Sequence, residues 1–246
     1  MGFGIMSSAT DGVSGERRTP FLAAARSPYP AGMNEPNEDT THIRLRFSRQ
    51  GPARYLSHNS LVTVWERGFA RAGIALSYSQ GYSPKPVLRF GPPVPVGYLA
   101  LAELLDVRLV GALEPSAVIA GLNRGLPDGL VVTAAELLPG KPPSLMAAAR
   151  SAGYAVRLDE PCGDLADRVA GLLALTELVV SIERGKRTRS VDIRGATLIL
   201  EVVSDESLSM RLRIGEGAAC RPEDVLAALS LSSSAITRTD IEYAFD

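Results

Sequence analysis

The chain has 246 residues, 46% hydrophobic and 22% charged, which is enough apolar material for one large or two small packed domains and excludes a disordered polymer. Its net charge of −1 conceals an asymmetry: residues 40–91 carry eight basic side chains against Glu66 alone, a net of +7, while residues 1–39 stand at −2 and residues 92–246 at −6. Two cysteines, Cys162 and Cys220, and two histidines, His42 and His58, are too few for a four-ligand zinc site or a cysteine-ligated iron–sulfur cluster, and no metal site is expected.

In chain order, residues 1–39 are rich in Gly, Ser, Pro, Ala and charge without apolar periodicity, so a disordered lead-in is expected, with Met1, Met6 and Met33 as candidate starts. Ile43, Leu45 and Phe47 alternate with Arg44, Arg46 and Ser48, the period-2 pattern of a half-buried strand with a cationic polar face. After Gly51-Pro52, the spacing of Leu61, Val64, Trp65, Phe69 and Ala72 predicts a helix, capped within Ser57–Ser60 and stopped at Gly73. A short strand is expected over 74–80, then a proline-stiffened loop over 80–86 and an extended segment from Val87 to Phe90. Alternation at Leu105, Val107 and Leu109 predicts a strand over 104–110, followed by a helix from Pro115 to Arg124 and a strand from Leu130 to Leu138.

Gly140 to Leu145, with Pro142 and Pro143, reads as a boundary between units. Beyond it come a strand at Tyr154–Leu158, a helix through Leu165–Leu173, and strands at 178–182, 191–194, 196–203 and 208–214. A helix over 222–229 and a strand over 236–244 close the chain. The expected fold is α+β, with tandem ferredoxin-like (β-α-β-β-α-β) halves built on antiparallel sheets: 40–140 as a basic first unit and 141–246 as a second with an added hairpin.

No apolar run reaches the ~18–20 residues of a membrane span and the start lacks a signal-peptide pattern, so a cytoplasmic protein is expected. The motifs GxxxxGK[ST], GxGxxG and GxSxG are absent, which sets aside the common nucleotide-binding and serine-hydrolase plans.

The candidate binding residues are Arg44, Arg46, Arg54, Tyr55, Ser57, His58, Tyr82, Lys85 and Arg89. Backbone N–H groups at a helix start attract anions, and Arg54 and His58 beside them suit a phosphate; the alternative is that Ser57 simply caps the helix. Tyr82 and Lys85 on the stiff loop form a candidate stacking and phosphate pair. A secondary basic hairpin carries Arg184, Lys186, Arg187, Arg189 and Arg194. The central strands offer Arg44, Arg46, Asp106 and Arg108 rather than aromatics, so any RNA contact should favour the backbone over the bases. No catalytic residue is assigned, His58 being the one candidate for acid–base work.

The segment Ile43–Val107 resembles the radical-SAM-linked family of bacterial proteins. The likeness is carried by Arg44, Arg46, Leu56-Ser57-His58, Ser79 to Pro86, Phe90-Gly91-Pro92-Pro93, Glu103 and Asp106, and more weakly by Ser144-Leu145-Met146, Val191–Arg194 and Thr237–Thr239. Asn59-Ser60 and Lys85 depart from that pattern, where Leu-Asp and histidine are usual, which weakens a catalytic reading of His58. The resemblance implies a radical SAM partner protein, which would hold the iron–sulfur cluster and S-adenosylmethionine, and no cofactor in this chain. The resulting expectation is an accessory protein engaging RNA or a ribosome-associated substrate. The alternatives are a cofactor-free RNA-processing enzyme using His58 with Arg54 or Lys85, and a structural subunit docking on an acidic protein.

Overall fold

The computed structural model describes residues 40–140, 142–184, 187–215 and 220–245. The expectation for residues 1–39 lies outside these.

Strand β1 (Thr40–Arg49) sends Ile43, Leu45 and Phe47 to one face, where they meet Leu61, Trp65 and Phe69 of helix α1 (His58–Arg71). Phe47 and Trp65 pack edge to face, with ring centroids 5.0 Å apart. The chain then runs through β2 (Leu88–Phe90), β3 (Leu99–Val110), α2 (Pro115–Gly125) and β4 (Leu130–Leu138). Of the expected strand at 74–80, two isolated bridges are present, Leu76 to Leu109 and Tyr78 to Pro86. Strand β3 begins five residues earlier than the alternation predicts, because Glu103 occupies an inward position and interrupts the apolar pattern.

Helices α1 and α2 approach closely through glycines: a Cβ on Gly125 would sit 2.7 Å from the Gly68 carbonyl oxygen. Val118 and Leu122 of α2 complete the first core.

The second half follows as α3 (Leu145–Ala148), β5 (Ala149–Leu158), α4 (Leu165–Ala174), a β6 (Val179–Arg184) and β7 (Arg187–Asp192) hairpin, and α5 (Ile193–Ala196). Then come β8 (Thr197–Ser204), β9 (Ser207–Arg213), α6 (Pro222–Ala228) and β10 (Ser233–Tyr243). The strand expected at 191–194 is thus divided: β7 ends at Asp192, whose carboxylate accepts the Leu178 N–H at 3.0 Å, and a single helical turn follows. Leu165, Val169 and Leu172 of α4 and Val225 and Leu226 of α6 form a second core with Tyr154, Val156, Leu208, Met210 and Leu212.

Among the described residues the fold is a mixed α+β one, with six helices and a mostly antiparallel eight-stranded sheet in the order β4-β1-β3-β10-β5-β9-β8; β2 also pairs with β3, and β6-β7 stands apart. The halves join where β10 runs parallel to the start of β3, Thr237 and Arg238 opposite Leu99 and Ala100. Glu103 shares a face of β3 with Leu105, and Arg238 shares a face of β10 with Ile236. Their contact puts both cores on one side of the sheet, and the other side carries no core cluster among the described residues. No described helix is long and apolar enough to cross a membrane.

Candidate functional site

The residues singled out from the sequence fall into several neighbourhoods. The first lies on the helix side, at the seam between the halves. Arg49, only 2% exposed, uses Nη2 to donate to the carbonyls of Arg54 (2.8 Å) and Pro95 (3.1 Å), tying the 3-10 turn Gly51–Tyr55 to the segment before β3. Burial lowers the Arg49 pKa, opposed in part by Glu103. Arg238 donates to both carboxylate oxygens of Glu103, and its Nη2 reaches the Pro92 carbonyl at 2.6 Å. Burial works against the charge on Arg238, but the Glu103 carboxylate holds its pKa above the ordinary range. Burial likewise pushes the neighbouring Tyr154 hydroxyl up.

On this framework Ser57 caps α1, its Oγ accepting the Ser60 N–H at 3.2 Å, which is the structural alternative raised for the Ser-His pair. His58 opens the helix at the surface and packs its ring roughly perpendicular to that of Phe90, centroids 5.4 Å apart. Arg54 turns to its neighbour, with Nη2 2.5 Å from the Tyr55 hydroxyl and the guanidinium 4.7 Å from that ring's centroid.

The second neighbourhood is the open sheet face. Glu136, Arg44, Asp106 and Arg89 occupy one register level across β4, β1, β3 and β2. Arg44 is buried and bidentate to Asp106, Nε to Oδ1 at 2.7 Å and Nη2 to Oδ2 at 2.9 Å. That hydrogen bonding outweighs the effect of burial and raises the Arg44 pKa. Phe245 covers the guanidinium, 4.2 Å from the ring centroid, and stacks on Tyr243. Arg44 is therefore an internal strut with its charge committed, whereas Arg46 and Arg89 are exposed. A groove of about 420 Å³ runs between Arg46, Leu104, Ala134, Glu136, Tyr243 and Phe245. The two aromatics were not among the residues chosen from sequence. The i, i+2 spacing of Tyr243 and Phe245 at the end of an alternating strand is the signal that could have found them.

The loop from Ser79 to Pro86 closes on itself: the Ser79 N–H donates to the Lys85 carbonyl at 2.8 Å and the Lys85 N–H to Ser79 Oγ at 3.0 Å. Tyr82 and Lys85 are exposed on it. In the β6-β7 hairpin, Arg184 and Arg187 are cross-strand partners flanking the tip, Lys186 lies outside the described residues, and Arg189 is exposed. Arg194 instead secures local backbone, donating to the carbonyls of Leu173 at 3.2 Å and Thr197 at 3.3 Å. The sequence candidates are thus divided among the seam, the open face, the loop and the hairpin. Among the described residues no cluster of three or more His, Cys, Asp or Glu is placed to hold a metal ion.

Among solved structures, an unknown protein from Galdieria sulphuraria is similar at 10% identity, covering 84% of this chain and 99% of that one, with a TM-score of 0.27. A putative glycine cleavage system transcriptional repressor is similar at 11% identity with the same coverages and a TM-score of 0.22. At such scores neither defines this fold. No curated protein matches the chain. A family model does match residues 42–222, and the chain belongs to that family, described as an uncharacterized protein conserved in bacteria (DUF2344).

Proposed function

We propose that the protein is a cytoplasmic accessory protein that binds RNA, or a ribosome-associated substrate, through the basic surface of its first half and works with a radical SAM enzyme. The observation that carries the RNA reading is the exposure of Arg46 and Arg89 on an open sheet face beside the Tyr243–Phe245 stack, with Lys85 and Tyr82 on a closed loop of the same half. Guanidinium and ammonium groups neutralise phosphates, and the fully exposed Tyr82 ring can accept an unstacked base, so this combination suits a single strand. Arg44 acts as the strut beneath the surface, its charge offset by Asp106. Arg54, Tyr55, Ser57 and His58 form a separate patch at the seam that extends the same basic half.

The radical SAM partnership rests on the resemblance described above, and in it the partner supplies the iron–sulfur cluster and S-adenosylmethionine. We also infer that each half is a ferredoxin-like unit. The supporting feature is that β4-β1-β3-β2 and β10-β5-β9-β8 follow the same fourth-first-third-second order.

The binding reading is tested by fluorescence anisotropy with a labelled single-stranded RNA pool over a salt series. Binding that weakens steeply with salt, and that falls about tenfold or more in the Arg46→Ala/Arg89→Ala double variant, is expected. No binding at low salt would reject it. Loss of RNA cleavage in a His58→Ala variant would favour the processing-enzyme reading instead.

A further inference from the structure

The sheet ends at β8, so the outer backbone N–H and C=O groups of Thr197–Ser204 have no strand partner among the described residues. An open row of this kind is a template for another strand unless charge, proline or a covering element blocks it. Here Glu201 is the single charge on the strand, and no proline interrupts it. Leu198, Ile199, Val202 and Val203 are all exposed, Val203 to 67%. Strand β4 ends the sheet on the other side with two exposed large apolar residues, Val131 and Leu137, and also carries Glu136.

The flanks of β8 differ in charge. At its C-terminal end the turn into β9 carries Asp205, and Glu206, which pairs with Arg157 of β5 at 3.7 Å. At its N-terminal end, Arg213 and Arg150 line a groove of about 800 Å³ together with Glu242, Leu198, Met146 and Ile214; Glu242 accepts from the Ser151 hydroxyl, and Arg150 donates to the Ala147 and Ala149 carbonyls. Arg213 is exposed and has no acidic partner among the described residues.

We propose that β8 pairs antiparallel with β8 of a second copy, extending the sheet across a two-fold axis into a homodimer. Antiparallel pairing lays the Asp205 end of each strand beside Arg213 of the other, so the contact between Asp205 and Arg213 occurs twice, and the isologous interface closes. The same pairing covers the four apolar side chains and satisfies the edge backbone groups. The two Glu201 carboxylates come near the axis and repel, which limits the affinity to about the micromolar range. RNA does not fit this edge, which offers strand backbone and apolar side chains. The inference is independent of the function proposed above.

The test is sedimentation velocity on the full chain from about 1 to about 100 µM. A monomer–dimer equilibrium is expected. Val203→Lys, at a position exposed enough to fold normally, should leave only monomer, and Arg213→Glu should weaken the dimer about tenfold. Leu137→Lys on β4 should change nothing. A monomer at every concentration, a dimer indifferent to Val203→Lys, a dimer lost with Leu137→Lys, or open-ended oligomers would each overturn the proposal.

Discussion

Arg238 and Glu103 are 2% and 5% exposed, and a charge so placed is tolerated only while its partner remains. Glu103→Ala would strand the guanidinium, and a loss of about 3–5 kcal/mol in urea unfolding is expected. The Glu103→Leu/Arg238→Met double variant should recover much of that, because two apolar side chains avoid the desolvation that both charges incur. Gly91 is constrained for a different reason: a Cβ there would stand 2.5 Å from the Tyr243 hydroxyl oxygen. Gly91→Ala should therefore destabilise by about 1–3 kcal/mol, and Tyr243→Phe in the same molecule should relieve part of the loss. Asp192 sets a pH dependence. The N–H of Leu178 first, then that of Gly195, holds its carboxyl below the usual range. A depressed carboxylate contributes stability that is present above its unfolded pKa of about 3.9 and is lost as pH falls through the folded value. Wild type and Asp192→Ala should accordingly differ in thermal midpoint near neutral pH and converge in strong acid.

Among the elements, the packing of α1 on α2 depends on Gly125 facing the Gly68 carbonyl. Backbone cannot yield as a flexible side chain can, so Gly125→Ala should part the helices at a cost of about 1–3 kcal/mol, measured by denaturant midpoint. Helix α1 was legible before any coordinates, since Leu61, Trp65 and Phe69 recur every four residues behind a Ser cap, and so was β4, predicted over the same Leu130–Leu138 span. Where a polar side chain with a distant partner interrupts the apolar pattern, periodicity failed. Glu103 conceals the start of β3, and Asp192, which bonds the Leu178 N–H, ends β7 before the apolar run does. In both cases a long-range partner outweighs local pattern.

For the whole molecule, the charge surplus of residues 40–91 sets the expected salt dependence of anion binding, but its effective size depends on which cations stay unpaired. Arg44 is neutralised by Asp106, 62 positions away in the chain, while Arg46 on the same strand face remains exposed. An Arg44→Ala variant should therefore lose stability, by urea unfolding, more than it loses RNA affinity by anisotropy, whereas Arg46→Ala should do the reverse.

The amino-acid sequence by itself determined the α+β class, most helices and strands, and the concentration of positive charge in residues 40–91, because periodicity, capping and composition are local properties of the chain. Only the tertiary structure decided that the two groups of strands share one sheet through β3 and β10, that Arg44 and Arg238 are struts, and that Tyr243 and Phe245 return to the open face of the first half. Those outcomes depend on pairings between residues far apart in sequence, and no local pattern encodes them.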